Sequence, residues 1–254
     1  ARFVGRSPRT APVYFVGTDS QGFVTLYRGV PYELPGGVKL YTENYPAPNP
    51  RKVHIYLAEK GIDNVERVHT KMAERMHKAP DFVEKNSLGQ VPTLETDDGR
   101  FISESVAICR YFEALYPDPP LFGRDPYEQA MVEMWIRRAE FRLWNPTGQV
   151  WINADPRTRG VINKQFTDYG EHNKAIVASA MKWLDRELAA NGGPYLVGDY
   201  FSMADIVLLC GIDFARFIHQ QIPDGCDHLK AWHQRVSARP TSRAQGVEGA
   251  GNAL

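Results

Sequence analysis

The sequence predicts two joined folding units, a small α/β domain followed by a domain built almost entirely of helices. Between about residues 38 and 116, strand-like and helix-like segments alternate, and from about residue 125 the apolar residues recur mainly at helical spacing. A proline-rich break, Pro117-Asp-Pro-Pro120, separates the two patterns. We therefore expect an N-terminal extension over 1–37, an α/β domain over 38–117, a helical domain over 125–240 and a tail over 241–254.

The N-terminal extension carries two β-prone runs, Val13–Val16 and Phe23–Tyr27, with turn residues between them. This pattern predicts a β-hairpin, followed by a linker that includes Pro35, Gly36 and Gly37. An isolated two-stranded hairpin is only marginally stable in water. We therefore expect it to pack on another part of the protein or to be partly disordered.

The α/β domain is predicted to contain four strands in a mixed sheet, because the order of its elements is strand, helix, strand, helix, strand, strand, helix. Its predicted strands are Val38–Tyr41, Val65–His69, Val91–Glu95 and Phe101–Ile102, and its predicted helices are Pro50–Gly61, Pro80–Asn86 and Ser105–Tyr116. Gly61 suits the left-handed residue that commonly ends a helix. An apolar face on the third helix fits packing against the sheet.

The helical domain is predicted to contain helices over 125–144, 160–190, 202–219 and 227–237. Ser202 followed by Asp205 is a capping-box arrangement, with Asp in place of the usual Glu or Gln, and we assign it a structural role. The tail after Pro240 is rich in small and polar residues, which predicts loose order.

Composition excludes several classes of function. The chain has no net formal charge and 24% charged residues, which argues against a protein held to nucleic acid or to a membrane surface by its charge. No apolar run approaches the roughly 20 residues of a membrane helix, and the N-terminus lacks the apolar core of a signal peptide, so we expect a cytoplasmic protein. Three widely spaced cysteines predict neither a disulfide framework nor a metal site, and Cys109 and Cys210 fit buried positions in helices.

Two short motifs in the α/β domain can recognise a peptide-like ligand. In Gln90-Val91-Pro92, a cis bond before the proline would leave the backbone of Val91 able to pair with an extended peptide, although most Val-Pro bonds are trans. Glu104-Ser105 opens the last helix of the domain, and a helix N-terminus is a natural site for a carboxylate. A plain helix cap with an acidic first turn is the alternative for the second motif.

These motifs, in this order and at this spacing, resemble the cytosolic glutathione transferase family. The resemblance covers about residues 38–237 and is most specific in Asn86–Leu94 and Ser103–Ile108. It implies a thioredoxin-like N-terminal domain, an all-α C-terminal domain, and glutathione as co-substrate without a metal. It also implies that the Val91–Pro92 bond is cis, as in thioredoxin-like folds, that Gln90, Val91 and Pro92 bind the glutathione backbone, and that Glu104 and Ser105 bind its γ-glutamyl group.

The loop that faces the glutathione thiol in this family departs here from the common classes. Ala47 stands where many members carry Ser or Cys, and the Pro-x-Pro-Asn pattern resembles the bacterial nu class, which implies that Asn49 contacts the sulfur. Lowering a thiol pKa requires a donor to the thiolate near a helix N-terminus, and this loop supplies both. Asn49 as a simple helix cap, with Pro50 as the first helical residue, is the alternative.

Further positions follow from the same resemblance. His77 is expected to reach the glycine carboxylate of glutathione, with an exposed histidine in a turn as the alternative. Trp135, Arg138 and Phe141 lie at helical spacing where relatives bind the second substrate, although such a stripe more often belongs to a core or a dimer interface. We expect a homodimer that uses the glutathione thiolate on a small hydrophobic electrophile or a disulfide. A non-catalytic glutathione- or ligand-binding protein of the same fold is the rival function.

Overall fold

The computed structural model describes residues 13–18, 24–29, 37–44 and 46–247. Its first two strands, β1 (Val13–Thr18) and β2 (Val24–Gly29), pair antiparallel with Val13 opposite Gly29. The predicted turn between them and the linker residues 30–36 lie outside the described residues.

The α/β domain contains the predicted mixed sheet of four strands, in the order β4-β3-β5-β6. Strands β3 (Lys39–Thr42) and β4 (Glu66–His69) run parallel, whereas β5 (Thr93–Glu95) is antiparallel to β3 and to β6 (Phe101–Ser103). A parallel pair needs a crossover connection. Helix α1 (Pro48–Lys60) supplies it and ends at Gly61, whose φ of 64° is the predicted left-handed cap.

Helix α1 begins two residues earlier than predicted, at Pro48 rather than Pro50. Both prolines lie in its first turn, where a missing N–H costs no intrahelical bond. The short helix α2 (Pro80–Val83) and the helix α3 (Ser105–Leu115) complete the domain. Helix α3 packs against α1.

The second domain is helical, as predicted, and its helices are α4 (Pro126–Ala139), α5 (Asn145–Asn153), α6 (Thr167–Ala190), α7 (Met203–Phe217) and α8 (Asp227–Ser237). The sequence prediction ended the first of them at 144 and did not include α5. A π turn, Glu140–Trp144, joins α4 to α5 and shifts the hydrogen-bond register, so Pro146 falls in the first turn of α5 and does not end the helical run. Among the described residues, no helix has the length and apolar character needed to cross a membrane.

Helix α7 forms the centre of the helical domain, with every residue from Met203 to Ile212 buried. The predicted capping box is present at its start, and the Asp205 carboxylate also accepts hydrogen bonds from the backbone N–H of Leu196 (3.0 Å) and from the indole of Trp232 (2.9 Å). Cys210 is fully buried in α7 and Cys109 in α3, as expected for small apolar side chains.

The two domains meet along α1, which packs against α7. Arg51 of α1 forms an ion pair of 2.6 Å with Asp213 of α7, and Asp213 also binds His233 of α8 at 2.6 Å. These contacts fix the position of α1, and therefore of the loop before it, relative to the helical domain.

The C-terminal tail is more ordered than predicted over residues 241–247. A 3₁₀ turn covers Pro240–Arg243, and the buried side chain of Asn44, just after β3, then binds the tail. Its Oδ1 accepts from the N–H groups of Gly246 (3.0 Å) and Val247 (2.9 Å), and its Nδ2 donates to the Val247 carbonyl (3.1 Å). The expectation of a loose tail is therefore wrong for this stretch, and residues 248–254 lie outside the described residues.

Candidate active site

The three predicted motifs lie at the same end of the strands of the sheet. Thr93, at the start of β5, pairs with Ser103 at the end of β6 and with Tyr41 near the end of β3. The segment before β5 therefore lies beside the segments that follow β6 and β3. These three segments are Gln90–Pro92, Glu104–Ser105 and the loop that leads into α1.

The Val91–Pro92 peptide bond is cis, as predicted. Both residues are buried, whereas the side chain of Gln90 is exposed. The Gln90 carbonyl accepts hydrogen bonds from Asn86 Nδ2 (2.9 Å) and Thr93 Oγ1 (3.0 Å). These side chains hold the turn before β5 in place.

Glu104 occupies an unusual backbone conformation. It is the N-cap of α3, with φ 69° and ψ 116°, and its side chain makes no capping bond. A positive φ costs free energy for a residue other than glycine, and such strain is concentrated at binding and catalytic sites. The next residue, Ser105, opens α3 and is 6% exposed, so the predicted pair does lie at a helix N-terminus.

Asn49 lies inside the first turn of α1 and is not its cap. The N-cap is Ala47, which has no side-chain cap, so the helix-capping alternative for Asn49 is wrong. Asn49 is exposed, and its Oδ1 accepts a hydrogen bond of 3.0 Å from Lys52 Nζ, one turn further along the helix. Its side chain is therefore available to a ligand at the start of α1.

A cleft of about 540 Å³ lies between the domains, and three predicted glutathione-site residues line it. Asn49, Glu104 and Ser105 contribute from the α/β domain, and Phe141 contributes from the helical domain. The further lining residues are Lys52, Val106, Ala107, Arg110, Arg137, Glu140, Trp144 and Asn145. The structure thus brings the predicted γ-glutamyl and thiol positions into one space with helical-domain side chains.

The structure does not bring Trp135 and Arg138 to this cleft. Trp135 is 4% exposed and stacks on Trp183 of α6, with ring centres 5.8 Å apart. The Arg138 guanidinium lies over the Trp135 ring and 3.9 Å from Glu187. Both side chains therefore contact α6 instead of the cleft, and Trp135 is a core residue, which was the alternative for an aromatic stripe. Phe141 alone of the three reaches the cleft.

His77 lies in a short 3₁₀ turn that packs against the segment before Val91. A Cβ on Gly89 would approach the His77 carbonyl oxygen to 2.7 Å, so the two turns touch and place His77 beside Gln90. Its Nδ1 is buried without a hydrogen-bond partner, and burial, with the nearby charges of Lys78 and Arg75, lowers the pKa of the ring. His77, Gln90, Val91 and Pro92 are not among the residues that line the 540 Å³ cleft.

The sequence analysis did not identify Lys52, which is the most buried charged group of the cleft. It is 3% exposed, burial lowers the pKa of its ammonium group, and its Nζ lies 3.7 Å from the centre of the Trp144 ring. The signal that could have found it is its spacing from Asn49, because residues three apart share a helix face. In the described part of the chain, no cluster of His, Cys, Asp or Glu could hold a metal ion.

Both domains of the chain match known protein families. The model for the glutathione S-transferase N-terminal domain matches residues 47–115, and the model for the C-terminal domain of the same enzymes matches residues 163–242. Glutathione S-transferase 2 of Saccharomyces cerevisiae is 36% identical over 83% of this chain and 86% of its own length. The chain belongs to the glutathione S-transferase family.

Solved structures of this family share the fold of the chain. Gtt2 from Saccharomyces cerevisiae is 36% identical, with a TM-score of 0.75 over 81% of this chain and 98% of that protein. A glutathione S-transferase domain-containing protein from Marinobacter aquaeolei is 38% identical, with a TM-score of 0.74 over 80% of this chain and 99% of that protein. The N-terminal domain that carries the cleft residues is therefore the glutathione S-transferase N-terminal domain, and these relatives carry the same two-domain fold.

Proposed function

We propose that this protein binds glutathione in the cleft between its domains and joins it, through its sulfur, to a small hydrophobic electrophile. The observation that carries the proposal is the convergence of Asn49, Glu104 and Ser105, from two helix N-termini, on one space lined by helical-domain aromatic residues. Helix N-termini present free N–H groups and partial positive charge, which suit the carboxylate and the thiolate of this tripeptide.

The α/β domain supplies groups for each part of glutathione. The Ser105 hydroxyl and the N–H groups at the start of α3 donate hydrogen bonds to the γ-glutamyl carboxylate, and the Glu104 carboxylate faces the ammonium group. The backbone of Val91 pairs with the peptide in the manner of an added strand, with Gln90 beside it. His77 is assigned to the glycine carboxylate on the family resemblance, and its turn touches the segment before Val91.

Asn49 is assigned to the sulfur. Its amide can donate a hydrogen bond to a thiolate at the N-terminus of α1, and both groups favour the charged form of the thiol. The thiol proton leaves to solvent, the thiolate electron pair forms a carbon–sulfur bond, and the leaving group departs with the electrons of the bond that breaks. Phe141 and the half-buried Trp144 provide an apolar wall for that electrophile.

Disulfide reduction is a second reaction for the same thiolate. The first glutathione thiolate attacks one sulfur of the substrate and releases the other as a thiol, and a second glutathione completes the exchange to give glutathione disulfide. The observation that favours it is the loop at Ala47, which lacks a Ser or Cys and resembles the nu class at Asn49. Ala47 equally motivates the rival function, a binding protein without turnover.

Two assays separate these functions. Purified protein is given glutathione with chlorodinitrobenzene, and separately with bis-hydroxyethyl disulfide, while isothermal titration calorimetry measures glutathione binding. We expect binding and turnover of at least one substrate. Binding with no turnover in either assay would support the rival binding protein, and no binding would overturn the site assignment. Assembly as a homodimer and a cytoplasmic location remain part of the proposal.

A further inference from the structure

Lys52 is a buried cation at the floor of the cleft with few protein partners. Its Nζ donates to Asn49 Oδ1 at 3.0 Å and lies 3.7 Å from the centre of the Trp144 ring. Among the described residues, Lys52 forms no ion pair. Burying an ammonium group without a paired carboxylate is costly, so a lysine that is 3% exposed here calls for a functional explanation.

The contact with Lys52 determines which way the Asn49 amide points. A lysine ammonium carries only donors, so the amide atom that faces it must be the carbonyl oxygen. The Nδ2 group of Asn49 is then the free end of the amide, and Asn49 is exposed to the cleft. An asparagine without this neighbour could present either its oxygen or its nitrogen to a ligand, and the oxygen would repel a thiolate.

The positive charge of Lys52, like the orientation of the Asn49 amide, favours a thiolate in the cleft. Trp144 covers the Lys52 ammonium group. The low dielectric constant around this ammonium strengthens the attraction between it and any anion in the cleft. The groups around it on the other packed elements are Glu104 and Cys109 of α3, Glu140 of the π turn and Cys210 of α7. Burial is the largest influence on the Lys52 pKa and lowers it, whereas these four groups oppose that effect.

We propose that Lys52 is a positioning residue that orients the Asn49 amide toward the glutathione sulfur and supplies a buried positive charge that stabilises the thiolate. The proposal rests on the proposed function, because it assigns a role at the same site. It predicts that removing the charge impairs thiol ionisation more than it impairs glutathione binding.

The test is the ionisation of bound glutathione in the Lys52→Met variant, measured by the thiolate ultraviolet absorbance of the binary complex and by the pH profile of kcat/KM. Methionine has a similar length and no charge. We expect the thiol pKa to rise toward its free value by about one unit or more, and kcat/KM at neutral pH to fall roughly 10-fold or more. The KM for glutathione should change much less, and Lys52→Arg should restore a large part of the lost ionisation.

Lys60→Met is the matched control. Lys60 lies on the same helix, its side chain is fully buried, and it pairs with Glu113 away from the cleft. The Lys60→Met change should lower the stability of the protein without changing the pKa of the bound glutathione thiol. Lys52→Gln provides a second neutral variant, and combining Lys52→Met with Asn49→Ala should cost less than the sum of the two single changes, because Lys52 acts partly through Asn49.

The outcomes separate the two proposals. An unchanged thiol pKa in folded Lys52→Met or Lys52→Gln protein, with glutathione still bound and turned over by the parent protein, overturns the role of Lys52 alone. A parent protein that does not bind glutathione overturns the proposed function and this inference together.

Discussion

At the scale of single residues, the site depends on where a few side chains lie within their helices. Asn49 and Lys52 share a face of α1 one turn apart, and Glu104 holds a strained backbone at the start of α3. The sequence identified Asn49 and Glu104, because each falls in a recognisable motif. It did not identify Lys52, because a lysine three residues after Asn49 looks like an ordinary surface lysine until its burial against Trp144 is known.

Replacing Asn49 with alanine tests the proposed thiolate donor. We expect kcat/KM for chlorodinitrobenzene to fall by roughly 10²-fold, the scale seen when one donor to a developing anion is removed. The melting temperature should fall only modestly, because Asn49 is exposed and does not cap α1, and the change removes one acceptor of the buried Lys52 ammonium. Unaltered activity per folded molecule would contradict the assignment, whatever happened to stability.

Replacing Asp213 tests whether its charge helps to hold α1 and α8 against α7. Burial raises the pKa of Asp213, but hydrogen bonds and charges from His233 and Arg51 outweigh burial, and the pKa is lowered. The ionised carboxylate therefore stabilises the fold above the unfolded pKa of about 3.9, and this stabilisation is lost as the pH falls through the lower folded pKa. We expect Asp213→Asn to lower the free energy of unfolding at pH 7 by about 2 kcal/mol.

The pH dependence provides the check on Asp213. The difference in unfolding free energy between the parent protein and Asp213→Asn, measured by urea denaturation, should shrink as pH falls from about 5 toward about 2. A difference that stayed constant over this window would show that the carboxylate charge does not hold the helices together.

At the scale of elements, two features departed from the sequence pattern. Helix α5 follows α4 through a π turn, and local propensity does not reveal such a turn because it depends on how the chain packs. The tail was expected to be loose because its residues are small and polar. Its order comes from Asn44, about 200 residues earlier in the chain, whose buried amide takes three backbone groups of the tail as partners.

Gly246→Ala tests this attachment. A Cβ at Gly246 would approach the His54 ring to 2.4 Å, and this ring is buried and hydrogen-bonded to Thr42. Either the tail shifts away from Asn44 or the His54 ring leaves its partner. We expect the free energy of unfolding to fall by about 1–3 kcal/mol, measured by urea denaturation. Gly160→Ala is the control, because a Cβ there meets no atom within 4 Å. Equal unfolding midpoints for the two variants would contradict the role of the tail.

At the scale of the whole molecule, the cleft exists because α1 is held against the helical domain. The α/β domain alone supplies Asn49, Glu104 and Ser105, whereas Phe141 and Trp144 come from the other domain. Packing of α1 on α7 and the Arg51–Asp213 pair bring these two sets together.

Assembly is the remaining prediction at this scale. The proposed homodimer should show a mass twice the 28.7 kDa of one chain in size-exclusion chromatography with light scattering. A mass of a single chain at micromolar concentration would contradict it. Glutathione binding by such a monomer would show that the site does not require a partner.

The sequence by itself determined the two-domain fold and the position of the proposed glutathione motifs. Apolar periodicity and turn residues set the strands and most helices, and the spacing from Val91-Pro92 to Glu104-Ser105 is local to one hairpin. The tertiary structure decided which helical-domain residues face the cleft, because Trp135 and Phe141 lie on different faces of one helical run. It also decided that Lys52 is buried beside Asn49, since burial depends on the other domain and is not written in the local sequence.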